Sequence, residues 1–163
     1  MLNLRSLREG DAEKIRNWPP YAGVHRQMDY ALRAGGWLDT FADEANTFCY
    51  AAEAGGALIG FGLLIGVGGD AEMRLAMHPC RLGEGLGQRL AASLINIAFT
   101  EHGVTELQLI VRKNNPAARN LYRKFGFRHS GETTRLVMAE EVAFYAMTLS
   151  RGRFITQQRR SMS

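Results

Sequence analysis

Three glycines at alternate positions, Gly83, Gly85 and Gly87, stand where a strand-like pattern gives way to a helical one. Upstream, Glu72 to His78 reads as a strand. Downstream, Leu86, Leu90, Leu94 and Ala98 recur at helical spacing, with Ala91 and Ile95 widening the stripe, which predicts a helix from about Gly85 to His102. The first turn of a helix carries N–H groups without intrahelical partners and the positive end of the helix dipole. Residues without a Cβ let a pyrophosphate come close to those donors. A tight turn with close helix packing would use the same glycines, so the loop by itself leaves both readings open.

Two familiar phosphate cradles do not fit. A P-loop ends in Gly-Lys-Ser/Thr, and here the chain reads Gly87-Gln88-Arg89. A dinucleotide fingerprint spaces its glycines G-x-G-x-x-G, whereas these run G-x-G-x-G. Glu106, the nearest stand-in for a ribose-binding acid, would open the following strand rather than close it.

A second segment is equally structured. Glu106 to Val111 reads as a strand, and Asn115-Pro116 then supplies a capping side chain followed by proline at the first helical position. Gly126 can end that helix, in which Ala118, Leu121, Tyr122 and Phe125 share one face. On spacing alone, Tyr122 is a core aromatic whose hydroxyl reaches a polar pocket.

In this order, separated by a helix and a strand, the two segments resemble the GNAT N-acetyltransferases. Pro79-Cys-Arg-Leu-Gly-Glu-Gly-Leu-Gly is similar to that family's acyl-CoA pyrophosphate loop, Q/R-x-x-G-x-G/A. Asn115-Pro-Ala-Ala-Arg-Asn-Leu-Tyr-Arg-Lys-Phe-Gly-Phe looks like its N-x-x-A-x-x-L-Y-x-K-x-G-F block. The resemblance is specific from about Glu72 to Phe127. It departs at Leu82, which takes the place of the usual Gln or Arg, with Arg81 one residue early.

The resemblance implies an α/β (α+β) fold, a mixed, mostly antiparallel sheet splayed open beside the strand that ends at Pro79 and flanked by helices. It also implies acetyl-CoA as co-substrate and no metal. Pantetheine would pair with backbone near Leu75 and Met77. The loop Arg81, Leu82, Gly83, Glu84, Gly85, Leu86, Gly87 and Gln88 would take the pyrophosphate, mainly through backbone N–H groups from Gly83 to Gln88. Asn115 and Tyr122 match family positions that meet the cofactor. The implied chemistry is direct attack of an amine on the thioester. An alkylammonium, with a pKa of about 10.4, must first lose a proton. Glu72, at the start of the strand beside the expected opening, is the first choice of base, with His78 a weaker one. The Met77 N–H is the expected oxyanion donor, and Tyr122 matches the family's acid for the leaving thiolate.

The rest of the chain fits one domain over residues 1–150, since 163 residues that are 46% apolar suffice for one core. A charged fraction of 22% is ordinary and argues against disorder. Leu2, Leu4 and Leu7 suggest a first strand rather than a signal peptide, and no apolar run is long enough to span a membrane. Helices are expected at Asp11 to Trp18, opened by an Asp cap and ended by Pro19-Pro20, and from about Val24 to Ala34. Trp37 to Ala45 is ambiguous. Thr47 to Ala54 and Ala57 to Val67 flank Gly55-Gly56 as a hairpin. Cys49 and Cys80 lack metal-ligand spacing and read as buried, reduced thiols, consistent with a cytoplasmic location.

Part of the net charge of +4 lies at the end of the chain, in Arg151, Arg153, Arg159 and Arg160. Residues 151–163 therefore read as a basic, mobile tail, with nucleic acid an unlikely partner. The remaining positive charge suits an anionic ligand and argues mildly against a polycationic acceptor. The two N-terminal helices, with Trp18, Tyr21, His25, Tyr30 and Trp37, and the stretch from Ser130 to Glu141 would build the acceptor side. The favoured partners are an acyl-CoA and the primary amine of a small molecule. Peptide N-termini, or a non-catalytic acyl-CoA-binding or nucleic-acid-associated role, are the alternatives. A homodimer is one of the assemblies left open.

Overall fold

The computed structural model describes residues 1–162. Its seven strands, β1 (Leu2–Ser6), β2 (Phe48–Ala54), β3 (Ala57–Gly68), β4 (Asp70–Met77), β5 (Glu106–Arg112), β6 (Arg128–Val137) and β7 (Glu140–Ser150), form a sheet of order β1-β2-β3-β4-β5-β7-β6. The pairings β1–β2, β2–β3, β5–β7 and β6–β7 are antiparallel. β4–β5 is parallel, from Asp70–Glu72 to Glu106–Gln108. This is the mixed, mostly antiparallel sheet with flanking helices that the resemblance implies. The α-helices are α1 (Asp11–Arg16), α2 (Trp37–Phe41), α3 (Leu86–Thr100), α4 (Pro116–Lys124) and α5 (Arg151–Met162). The contacts divide the chain into two compact units, Met1–Gly66 with Met73–Leu94, and Val67–Glu72 with Ile95 onward.

In the first unit, Gly55 and Gly56 take φ of 59° and 80°, the left-handed pair that closes a two-residue hairpin between β2 and β3. The glycines inside β3 have a different reason. A Cβ on Gly62 would lie 2.8 Å from a Leu94 methyl, and one on Gly60 would lie 3.1 Å from a Leu90 methyl. The first half of α3 therefore sits tightly on β3, and Leu90 and Leu94 are fully buried.

The other core of this unit gathers Ile15, Trp18, Tyr21, Leu32, Trp37, Phe61, Leu63 and Ala76. The α1 start differs from the expected aspartate cap. Gly10, at φ 91°, is the N-cap, and the Asp11 carboxylate instead accepts from the Arg8 N–H and pairs with Arg5, which also reaches Glu53. The segment expected as an α-helix over Val24 to Ala34 is a 3₁₀ helix, Gly23–Leu32. Asp29 within it accepts from the Tyr21 N–H and pairs with Arg33, whose guanidinium donates to the carbonyls of Arg16 and Trp18. These tertiary bonds hold a run longer than 3₁₀ helices ordinarily sustain. The ambiguous stretch resolves as the short α2.

In the second unit, α4 starts as its sequence dictates, with the Asn115 side chain accepting from the Ala118 N–H at 3.2 Å and Pro116 first in the helix. Gly126 ends it at φ 102°, with N–H bonds from Gly126 and Phe127 back to the Arg123 and Tyr122 carbonyls. The basic end of the chain departs from expectation. Arg151–Met162 is helix α5 rather than a mobile tail; Ser163 lies outside the described residues. Phe154 is buried and stacks on Phe99 with centroids 4.6 Å apart, the Arg151 guanidinium donates to the Phe99 carbonyl, and Arg153 and Gln157 close over Gly126. One aromatic among the arginines is enough to dock the helix, and a charge count does not reveal it.

Phe154→Ala should cost about 3 kcal/mol, the usual loss for a buried phenylalanine, read by urea denaturation. Arg5 holds the buried Asp11 carboxylate below its ordinary pKa, with the Arg8 N–H assisting. A carboxylate depressed in the fold stabilises above its unfolded pKa of about 3.9 and loses that contribution as the pH falls through the lower folded value. Asp11→Asn should therefore cost about 3 kcal/mol or more at neutral pH, as removing one partner of a buried ion pair does, with the gap from wild type closing in acid.

Candidate functional site

β4 leaves the sheet through His78 into a single 3₁₀ turn, Pro79–Arg81, and the chain reaches α3 through Leu82 to Gly85. The His78 Nδ1 accepts the Cys80 N–H at 3.0 Å and caps this turn. Burial, then the charge of Arg81, lowers the His78 pKa. The neutral ring therefore carries its proton on Nε2, so His78 offers a donor rather than a base. Cys80 is exposed and Cys49 half-buried, so neither is the buried thiol expected from the sequence.

Gly83 and Gly85 have φ of 80° and 76°, and a Cβ on either would meet nothing within 4 Å. Both are required by left-handed backbone, not by lack of space. Gly87 needs neither: its φ is not positive, and a Cβ would lie at an ordinary 3.5 Å from Met77 Cγ. The double reversal delivers the chain to α3 with the first helical bond from the Arg89 N–H to the Gly85 carbonyl. The N–H groups just before Arg89 thus lie in the helix's unpaired first turn, a cradle for an anion of pyrophosphate type. Arg81 is paired with Glu84, Nε to carboxylate at 3.0 Å, and Leu82 is exposed. Arg81 lies in the loop as expected, but its guanidinium is held by a neighbouring acid.

The end of β4 is held from two sides. The buried Tyr21 hydroxyl donates to the Met77 carbonyl, and the His78 N–H donates to Ile59 O at 2.8 Å. Burial pushes the Tyr21 phenol up to about 12. Met77 packs with Ile59, Ala52 and Leu90, and Leu75 and Leu86 border the same cluster. Trp18 lies against the His78 ring, centroids 4.9 Å apart. On this strand Arg74 has its guanidinium carbon 5.3 Å from the Trp37 ring centroid and 4.7 Å from that of Phe41. Tyr21's bond to β4 and Arg74's stacking carry no sequence signal, because both join segments far apart in the chain.

In the second unit, Glu72 is half-buried on β4 opposite Gln108 of β5. Tyr122 lies on α4 edge-on to Phe127, centroids 5.7 Å apart, and burial pushes its phenol up to about 12. It is a protonated phenol throughout the neutral range. Asn115 uses its side-chain oxygen to cap α4, which leaves its amide NH₂ for a ligand.

Residues 11–127 match the Acetyltransferase (GNAT) family model. The chain belongs to the GNAT acetyltransferase family. It is 31% identical over 106 residues to the N-alpha-acetyltransferase RimI of Mycobacterium tuberculosis, covering 62% of this chain and 65% of that one. It is 39% identical over 62 residues to the spermidine N(1)-acetyltransferase of Escherichia coli, covering 38% of this chain and 33% of the relative. The chain thus spans less than two thirds of these relatives. Among solved structures, a chimeric spermidine N-acetyltransferase of Vibrio cholerae aligns with a TM-score of 0.79 at 21% identity, over 94% of this GNAT chain and 98% of that one. The Vibrio cholerae enzyme in complex with CoA and spermine gives 0.74 at 21% identity, over 94% and 98%. These structures share its fold. Among the described residues, no helix is long and apolar enough to cross a membrane.

Alkaline titration followed by ultraviolet absorbance should show late-ionising phenols near pH 12 among the five tyrosines. Tyr21→Phe and Tyr122→Phe should each remove part of that late phase.

Proposed function

We propose that this protein moves an acetyl group from acetyl-CoA to a primary amine of a small molecule by direct attack. The observation that carries the reading is the left-handed Gly83 and Gly85 backbone ahead of α3, which leaves unpaired N–H groups in a chain of this family. Backbone donors from Gly83 to Gln88 would hold the pyrophosphate, joined by Arg81 when it exchanges Glu84 for the ligand. Leu75 and Met77 would pair with pantetheine through their main chain, and Asn115 would donate its side-chain amide.

In the reaction, Glu72 takes the ammonium proton, directly or through water, so that the neutral amine can attack the thioester carbonyl. The Met77 N–H stabilises the negative charge developing on the carbonyl oxygen. The C–N bond forms, the C–S bond breaks, and Tyr122 protonates the departing thiolate; the second proton of the attacking nitrogen leaves to water, which returns a proton to the tyrosinate. A phenol raised to about 12 suits that role, because it is fully protonated before the thiolate appears. A second reading, transfer to a peptide N-terminus, is favoured by the similarity to RimI. An acceptor panel of short peptides beside small amines separates the two.

Tyr122→Phe keeps the ring and removes the proton. Thiol release from acetyl-CoA should fall by about 100-fold or more, with CoA affinity by calorimetry little changed. Undiminished turnover would take Tyr122 out of the mechanism. Gly85→Ala should act oppositely, weakening CoA severalfold, since left-handed backbone costs an alanine about 1–2 kcal/mol.

A further inference from the structure

Pro19 and Pro20 lead into Tyr21, and each fixes its own φ and lacks an N–H, so the chain reaches Tyr21 along a stiff path. The Tyr21 N–H donates to Asp29 Oδ1 at 3.1 Å. Arg33 grips that carboxylate through Nε and Nη2, at 3.0 and 2.8 Å. Its Nη1 donates to the carbonyls of Arg16 and Trp18 at 2.8 and 2.7 Å. These bonds place one side chain. Tyr21 is 6% exposed in an apolar core, where a phenyl ring would pack as well, so what the hydroxyl adds is its bond to the Met77 carbonyl.

The direction of that bond shows what it acts on. The His78 N–H donates to Ile59 O, on the β3 side of β4. A trans peptide turns its two polar groups to opposite sides, so the Met77 carbonyl of the same plane points away from β3. A residue in an extended strand turns its own N–H and C=O to one side, which is why antiparallel partners exchange both bonds. The Met77 N–H therefore lies beside the carbonyl that Tyr21 holds. The register of β4 with β5 ends at Glu72, well short of Met77. Among the described residues it is Tyr21, not a strand, that holds β4 on this side at Met77.

We propose that Tyr21 is a positioning residue for acetyl transfer: by holding the Met77 carbonyl it sets the angle at which the Met77 N–H meets the thioester oxygen. The role rests on the acetyl-transfer reading above and acts through Met77 rather than on the reactants. A hydrogen bond weakens steeply when misaligned, and a strand end without its tether samples a wider range of angles. Asp29 and Arg33 act one step further back, on Tyr21.

The test uses acetyl-CoA labelled with carbon-13 at the thioester carbonyl, whose infrared stretch falls as its oxygen accepts a stronger hydrogen bond. Wild type, Tyr21→Phe, Asp29→Ala and the double variant are compared, with Tm and acetyl-CoA affinity by calorimetry measured alongside. Tyr21→Phe should raise and broaden the stretch of the bound carbonyl, with affinity little changed. Thiol release with the best acceptor of the amine and peptide panel should lose about 10- to 100-fold in kcat, with acceptor KM little changed. Asp29→Ala should move both readouts the same way by less. The double variant should match Tyr21→Phe, since Asp29 acts through Tyr21. A merely structural tyrosine would lower Tm and leave the stretch in place. An unmoved stretch in Tyr21→Phe, or losses in kcat that add in the double variant, overturns the positioning role while leaving acetyl transfer intact. Where Tyr21→Phe does not fold, Asp29→Ala decides instead, and an unmoved stretch there overturns the role. A wild type that neither binds acetyl-CoA nor releases thiol with any acceptor overturns the acetyl-transfer reading and the positioning role with it.

Discussion

The carboxyl end of β4 depends on one buried hydrogen bond, from the Tyr21 hydroxyl to the Met77 carbonyl. That carbonyl and the His78 N–H belong to the same peptide plane, and the N–H is bonded to Ile59 O. Both polar groups of the plane are therefore fixed, one by the N-terminal segment and one by β3. A strand that must present backbone groups to a ligand gains from such double fixation, because nothing needs to reorganise when the ligand arrives. Tyr21 is itself held through its N–H by Asp29, which Arg33 ties to the carbonyls of Arg16 and Trp18. A continuous chain of hydrogen bonds thus runs from the segment lining the proposed acceptor wall to the strand proposed to polarise the thioester.

The glycine loop does a complementary job through the absence of side chains. Gly83 and Gly85 supply backbone angles that other residues adopt only at a cost, while Gly60 and Gly62 supply room for the leucines of α3. One pair shapes the turn and the other brings the helix down onto the sheet. The position of the α3 amino end follows from both. The proposed cradle of main-chain donors would tolerate the departure at Leu82, since it does not need a particular side chain there.

How much of this was legible in the sequence depended on whether the signal was local. The Gly55-Gly56 hairpin, the Asn115-Pro116 helix start and the Gly126 stop are each dictated by a few consecutive residues, and each forms as expected. The Asp11 cap was misread because its carboxylate pairs with Arg5, whose position beside it is fixed only once β1 has paired with β2. The 3₁₀ helix Gly23–Leu32 is held by Asp29 and Arg33 reaching outside it, so an apolar period could not distinguish it from an α-helix. Helix α5 was hidden by its arginines, although Phe154 was there to anchor it.

By itself the sequence determined the glycine turn ahead of α3, the capped helix that follows β5 and the family to which both belong, because those features rest on backbone angles and spacings within a short run. The Arg81–Glu84 pair and the His78 cap join residues three and two apart and follow from the local turn, whereas tertiary structure alone decided that Tyr21 holds Met77. It also put Arg74 against Trp37 and Phe41. The loop and helix signals are local, whereas Tyr21 and Arg74 act across pairs of segments that only the folded sheet brings together.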